Sequence, residues 1–357
     1  MRLTPDGLVS GAAAIALCKT GAALALAGGP FAFTQARITG RAAPDELAGT
    51  PVRVADLVRW AEGAARAGDD APAALISRVS RPRADVAGLA VSGAGGRPRI
   101  LGVCNVTPDS FSDGGDHAVP EQAVAFGRAL CAAGADIVDV GGESARPGAD
   151  SVDPDTELAR VLPVVEGLVA HGISVSIDTR RARVMRAAIE AGAVLVNDVS
   201  ALSGDPDAIT VVAETDVPVI VMHMQGQPRD MQDDPRYANV VEDVYDVLAA
   251  RVDACVAAGI APERVIVDPG FGFGKTEAHN YELLAGLAQF HGLGGPLAVG
   301  LSRKSFIGAV TGEADPARRV SGSVAAALLA VGRGAQFVRV HDVAETRQAL
   351  DVWRAAL

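Results

Sequence analysis

From about residue 100 onward the chain repeats one pattern: a short β-branched apolar run, a turn, then an amphipathic stretch rich in Ala and Leu. The strand-like runs are ILGVCNVT (100–107), DIVDVGG (136–142), SVSIDT (174–179), VLVNDVS (194–200), PVIVMHM (218–224), RVIVDPG (264–270), PLAVGLS (296–302) and FVRVHD (337–342). They are nearly continuous in apolar residues, as strands buried on both faces of a parallel sheet must be. Between them, segments such as PEQAVAFGRALCAAGA and RRARVMRAAIEAGA read as helices closing on Gly, the usual left-handed stop. Eight β-then-α units predict an α/β fold of the (β/α)8 TIM-barrel type, with a doubly wound open sheet as the alternative.

The composition shifts near residues 91–98, where VSGAGGRPR reads as a linker. We therefore expect a barrel over 98–357 and an N-terminal segment of unknown role over 1–97, packed on the barrel. Within that segment, 51–68 reads as an amphipathic helix with Val52, Val54, Leu57, Val58 and Trp60 on or near its apolar side. Residues 11–28 are apolar enough to raise a membrane span, but Lys19 sits in the middle and the run is mostly Ala and Gly. A secretory signal would need a basic start, and MRLTPDG has one Arg and one Asp. The expected reading is a buried helix or strand pair in a soluble domain.

Composition narrows the function class. Of 357 residues, 49% are hydrophobic, enough for a large core, and the net charge of −11 argues against nucleic acid or an anionic membrane as partner. Cys18, Cys104, Cys131 and Cys255 are scattered with no CxxC pair. That spacing excludes a zinc knuckle, makes a disulfide framework improbable and points to a reducing cytoplasm.

The polar residues fall where a barrel enzyme would need them. Asn105, Asp139, Asp178, Asn197, His223, Asp268, Ser302 and His341 all lie toward the C-terminal ends of the strand-like runs, the face that carries barrel active sites. One such residue is ordinary, because it can cap the next helix. Capping does not account for all eight.

Their chemistry sorts into two zones. Asp178, Asn197 and Asp268 can match the donor and acceptor edge of a flat heterocycle such as a pterin. Asn105 offers an amide oxygen suited to Mg2+, and Asp109 and Asp113 add carboxylates on a Gly-containing loop. Arg146, and the pair Arg339 and His341 on one side of the last strand, can grip phosphates. Ser302, Arg303, Lys304 and Ser305 open the helix after the seventh strand, where anions bind and Lys304 can reach a ring oxygen. DPGFGFGK is not a P-loop, since Pro269 stands where the first Gly is required. No Ser-His-Asp order or HExxH motif appears.

NVTPDSFSDGG, GGESARPGA, SIDT, NDVS, VMHMQG, DPGFGFGK, GLSRKSFIG and RVHDV, in this order, resemble dihydropteroate synthase over roughly 98–357. The resemblance implies a dimeric TIM barrel that joins a pterin-methyl diphosphate to 4-aminobenzoate in folate synthesis. It implies that Asn105 binds Mg2+ with the diphosphate, and that Arg146, Arg339 and His341 hold the diphosphate. Asp178, Asn197, Asp268 and Lys304 would hold the pterin, with Met222 beside it. Phe273, Pro147, Arg303 and Ser305 would border the aminobenzoate, and Asp113 and the first two loops would close over the reactants. The implied mechanism is dissociative, with diphosphate leaving before the arylamine attacks. One departure stands out: the family's second loop usually reads ESTRPG, and Ala145 replaces its Thr. Losing that hydroxyl should cost on the order of 1 kcal/mol and bears on affinity and sulfonamide response. Two rivals are a corrinoid methyltransferase domain, which needs no diphosphate grip, and an inactive pterin-binding relative.

Overall fold

The computed structural model describes residues 1–40, 43–44, 46–92, 96–106, 119–143, 152–227 and 229–357. An N-terminal unit comes first: β1 (Arg2–Ser10), α1 (Gly11–Lys19), β2 (Leu24–Ala25), β3 (Phe31–Thr39), β4 (Pro51–Arg53), α2 (Val54–Arg66) and α3 (Ala71–Ser80). The repeating part follows as β5 (Arg99–Asn105), α4 (Val119–Ala132), β6 (Ile137–Gly141), α5 (Pro154–Ala170), β7 (Val175–Asp178), α6 (Ala182–Glu190), β8 (Leu195–Asp198) and α7 (Ala208–Ala213). It continues as β9 (Val219–Met222), α8 (Val240–Ala257), β10 (Val265–Asp268), α9 (Glu277–Ala285), β11 (Ala298–Val299), α10 (Ser305–Thr311), α11 (Val320–Val331), β12 (Phe337–Val340) and α12 (Val343–Ala355).

All eight predicted strands form one parallel sheet in the order β10-β9-β8-β7-β6-β5-β12-β11. A parallel bridge between Val267 and Leu297 joins its two ends. Closure removes the edges and settles the fold in favour of the barrel over the open sheet.

Alternation along the strands builds the interior in layers. Outward residues such as Val138, Ile177, Val196, Val221 and Val267 pack under the helices. Inward residues at the strand starts, Leu101, Ile137, Leu195, Ile220, Ile266, Ala298 and Phe337, form a separate apolar floor. Val86 and Val91 close that floor from below. Two residues farther along each of those strands the inward positions are Val103, Asp139, Asn197, Met222, Asp268, Gly300 and Arg339. The polar site is therefore the next layer above the floor, set by the two-residue period.

The N-terminal unit is an antiparallel sheet, with β3 between β1 on one side and β2 and β4 on the other. It has its own core around Leu3, Phe33, Ile38, Val54, Leu57 and Leu75. The helix expected over 51–68 is α2 from Val54 onward, with Val54, Leu57 and Ala61 buried, while Val52 belongs to β4. The 11–28 run departs from expectation in its first half only, since Ala23, Leu26 and Ala27 beyond α1 are buried. α1 buries only Ala14 and leaves Ile15 59% exposed, so it is a surface helix and not a buried pair. Its Ala side chains have too little apolar area to demand burial. No helix among the described residues is long and apolar enough to cross a membrane.

The unit docks on the barrel through specific polar contacts. Arg2 pairs with Glu242 at 2.7 Å and Asp246 at 2.5 Å on α8. Thr4 Oγ1 donates to Gln289 at 2.6 Å, Arg78 Nε to the Gly292 carbonyl at 2.9 Å, and buried Arg83 to the His291 carbonyl at 3.1 Å. Phe33 is fully buried at the centre of the unit, so Phe33→Ala is expected to cost about 3–5 kcal/mol. Urea unfolding followed by circular dichroism measures this, and a loss below about 1 kcal/mol would contradict the packing described.

Candidate active site

Four strand ends stand in register at the C-terminal mouth: Asn105 pairs with Gly141, Gly141 with Asp178, and Asp178 with Asn197. A cleft opens there, lined by Asp178, Asn197, Val199, Met222, Asp268, Gly270, Phe271, Phe273, Gly300, Ser302, Lys304, Arg339 and His341. All but Phe271, Phe273 and Lys304 come from the layer above the floor or from the strand-end positions just above it. A cavity of about 260 Å3 at the opposite end, among Phe31, Trp353 and Gln336, lacks converging carboxylates. The chemistry therefore belongs to the cleft.

The electrostatic centre is Arg339. Its Nε donates to Asp139 at 2.6 Å and its Nη2 to Asp178 at 2.7 Å. Asp139 also accepts from the Asn197 amide nitrogen at 3.1 Å. Burial raises the pKa of Asp178 to about 7, against the opposing pull of Arg339, and the negative charge of Asp139 adds to the rise. Burial likewise lifts Asp268 to about 6, while the Gly270 N–H and the nearby lysines oppose it. One oxygen of Asp268 takes the Gly270 N–H at 2.7 Å.

The loop after β10 brings in the remaining groups. Gly270 has φ +70°, and a Cβ there would lie 1.9 Å from the His223 carbonyl oxygen; at Gly274, with φ +63°, it would lie 2.4 Å from that of Gln225. Only glycine permits this close approach. Lys304 Nζ donates to the Phe271 carbonyl at 2.7 Å and sits 4.1 Å above the Phe273 ring. Burial lowers its pKa to about 8. Buried Lys275 lies 2.9 Å from His223 Nδ1 and donates to the Phe273 carbonyl at 3.0 Å. Burial brings Lys275 down to about 7 and His223 down to about 3, so the imidazole is neutral and accepts.

The structure thus brings together Asp178, Asn197, Met222, Asp268, Phe273, Lys304, Arg339 and His341. Asn105 stands beside this group: a Cβ built on Gly141 would lie 3.6 Å from its Oδ1 and 3.5 Å from Asp178 Oδ2. Two expected residues do not line the cleft. Arg303 turns to Asp342, at 3.1 and 2.5 Å, and Ser305 is exposed at the start of α10. The strong ion pair explains the first, since Asp342 follows β12 directly. Lys304 lines the cleft, as its expected reach to a ring oxygen requires, with its ammonium on the Phe271 carbonyl. The separation into an acidic and a cationic zone also needs correction, because Arg339 is bonded to Asp178 and joins them. Asp113, Ala145, Arg146, Pro147 and Asp109 lie outside the described residues.

Sequence reasoning noted Asp139 and Ser302 as strand-end polar residues but gave them no partner. Ser302 Oγ lies 3.0 Å from His341 Nδ1 and accepts the His341 N–H at 3.2 Å. A polar residue in register beside a predicted site residue was the available signal.

Comparison with known proteins agrees with this geometry. The family described as pterin binding enzyme matches residues 101–341. Dihydropteroate synthase of Neisseria meningitidis serogroup B is 50% identical over 264 residues, 72% of this chain and 93% of that one. That of Escherichia coli K12 is 48% identical over 261 residues, 73% of this chain and 92% of that one. Among solved structures, the Xanthomonas albilineans dihydropteroate synthase with 4-aminobenzoic acid is 51% identical with a TM-score of 0.71, covering 77% of this chain and 98% of that one. The same organism's enzyme in complex with 7,8-dihydropteroate is 48% identical with a TM-score of 0.69, at the same coverage. By fold, site and likeness, the chain belongs to the pterin-binding enzymes as a dihydropteroate synthase, a transferase of folate synthesis.

Proposed function

We propose that the cleft joins (7,8-dihydropterin-6-yl)methyl diphosphate to 4-aminobenzoate in two stages, with diphosphate leaving before the arylamine attacks. The carrying observation is the convergence of Asp178, Asn197 and Asp268 on one cleft, with Arg339 bonded to Asp178. The carboxylates and the amide oxygen accept the N–H groups of the ring, and Lys304 donates to its carbonyl. Breaking the methyl carbon–oxygen bond sends the electron pair out with diphosphate. The carbocation left behind is stabilised by the negative potential of Asp178 and Asp268. The arylamine nitrogen then forms the new carbon–nitrogen bond and loses one proton. Phe273 borders the arylamine. Arg146 and His341, with Asp113 on the first loop, serve the diphosphate and the closure that keeps water from the cation.

Mg2+ belongs to this reading. Among the described residues no cluster of three or more His, Cys, Asp or Glu could hold a metal, and the ligand we assign there is the Asn105 amide oxygen. A single amide ligand fits Mg2+, which keeps several waters and takes phosphate oxygens. The ion would supply charge neutralisation for the leaving diphosphate. We also read the protein as a cytoplasmic homodimer. Exposed Leu329 on α11 and Val310 on α10 provide apolar surface that a second copy would cover. The sulfonamide complex of the Yersinia pestis enzyme, 47% identical, supports the same drug class as competitors here.

Diphosphate release from the pterin substrate, followed with and without Mg2+ and 4-aminobenzoate, tests the reading. Arylamine-dependent dihydropteroate formation is expected. Pterin binding without product would identify an inactive relative.

Pterin affinity should depend on pH through Asp178. Its ionised form is the acceptor, and with the pKa raised to about 7 that form is lost as pH falls. Calorimetric affinity is expected to fall below pH 7 by up to about tenfold per unit. A flat profile from pH 8 to 5.5 would exclude an ionised Asp178 as the acceptor.

Because Arg339 is bonded to Asp178, Arg339→Ala is expected to weaken even diphosphate-free pterin, by about tenfold. If only the diphosphate ligand weakens, Arg339 acts on diphosphate alone.

A further inference from the structure

Asp139 on β6 is completely buried and does not line the cleft. Its Oδ2 accepts both from Arg339 Nε at 2.6 Å and from Asn197 Nδ2 at 3.1 Å. Its Oδ1 is enclosed without a hydrogen-bond partner among the described residues, and so is Oγ of Ser176. Ser176 is the residue paired with Asp139 on β7.

Neutralising Arg339 does not require this second carboxylate, since Asp178 already pairs with it. Burying another charge is costly. The geometry gives Asp139 a different task. A carboxylate only accepts, so the atom of Asn197 that faces it must be the amide nitrogen. The Asn197 carbonyl oxygen is then left as the group offered to the cleft.

We propose that Asp139 is a positioning residue that sets ring specificity by locking the Asn197 amide with its oxygen toward the ligand. This rests on the reading of the cleft as a pterin site. A ring edge carrying N–H groups meets an acceptor and is taken. An edge with a carbonyl at the same place meets a second acceptor and is refused, because an unmatched buried polar pair costs more than a missing bond.

The test uses the full-length protein and calorimetry with two probes: 6-hydroxymethylpterin, and 6-hydroxymethyllumazine, in which oxygen replaces the 2-amino group. The unaltered protein is expected to prefer the pterin. Asp139→Ala frees the amide to turn, and the preference is expected to fall about tenfold. Asp139→Asn is expected to restore it. Its carboxamide oxygen replaces Oδ2, and its nitrogen faces the unpartnered Ser176 hydroxyl across strands about 4.8 Å apart. Adding Ser176→Ala to Asp139→Asn removes that acceptor, lets the new amide turn, and should lower the preference again. This pair decides the matter even where Asp139→Ala does not fold. A residue that only supports the core would weaken both probes equally, and an unchanged preference in the folded variants overturns the proposal. Failure of the unaltered protein to bind either probe would instead sink the pterin-site reading.

Discussion

One guanidinium stands between two buried carboxylates, and much of the site follows from it. Arg339 bonds Asp139 and Asp178 at 2.6 and 2.7 Å inside the barrel. Burying either carboxylate without this partner would be costly, because the cost of removing a charge from water exceeds what a single neutral hydrogen bond returns. With Asp178 ionised, two carboxylates face one guanidinium, and the negative potential left over suits the cation of the proposed two-stage reaction. Burial pushes Asp178 upward against the pull of Arg339, and Lys304 and Lys275 bring positive charge near Asp268.

The cluster can exist only because the barrel has a dry floor. The seven apolar residues at the strand starts, with Val86 and Val91 beneath them, keep water from reaching the charges from below. Those two valines lie between α3 and β5, and the unit that precedes them is tied to the barrel by Arg2, Arg78 and Arg83. The relatives reported above cover 72–73% of this chain and nearly all of their own length. The anchored unit is thus an addition to the shared barrel. It is held on the barrel at the start of α8 and at residues 287–293 before β11.

The fold was legible because β-branched runs and Gly-closed helices carry strong local signals, and all eight strands formed where the pattern put them. The inner site was legible for the same reason: a two-residue period maps each strand-end polar residue to one layer. Side-chain direction was not legible. Arg303 and Arg339 look equivalent in sequence, yet Asp342 draws the first away while Asp139 and Asp178 draw the second inward. Pairing of that kind depends on which strands neighbour each other, and only closure of the sheet fixes it. The first half of the Ala- and Gly-rich 11–28 run misled for a different reason, since average hydropathy counts many small side chains as if they demanded burial.

These two kinds of information divide the reaction. The groups we assign to the pterin sit mainly on strands, with Asp178 and Asn197 paired in register, so their spacing is fixed by the backbone ladder itself. Groups assigned to the diphosphate and the arylamine fall mainly on loops, where spacing depends on turn chemistry and on closure. A substitution on a strand should therefore alter what ring is accepted. One on a loop, such as the Ala at 145 in place of the family's Thr, should alter how tightly the second substrate is held while leaving ring recognition intact. Ring recognition built into the strand ladder would thus tolerate sequence change in the loops around it.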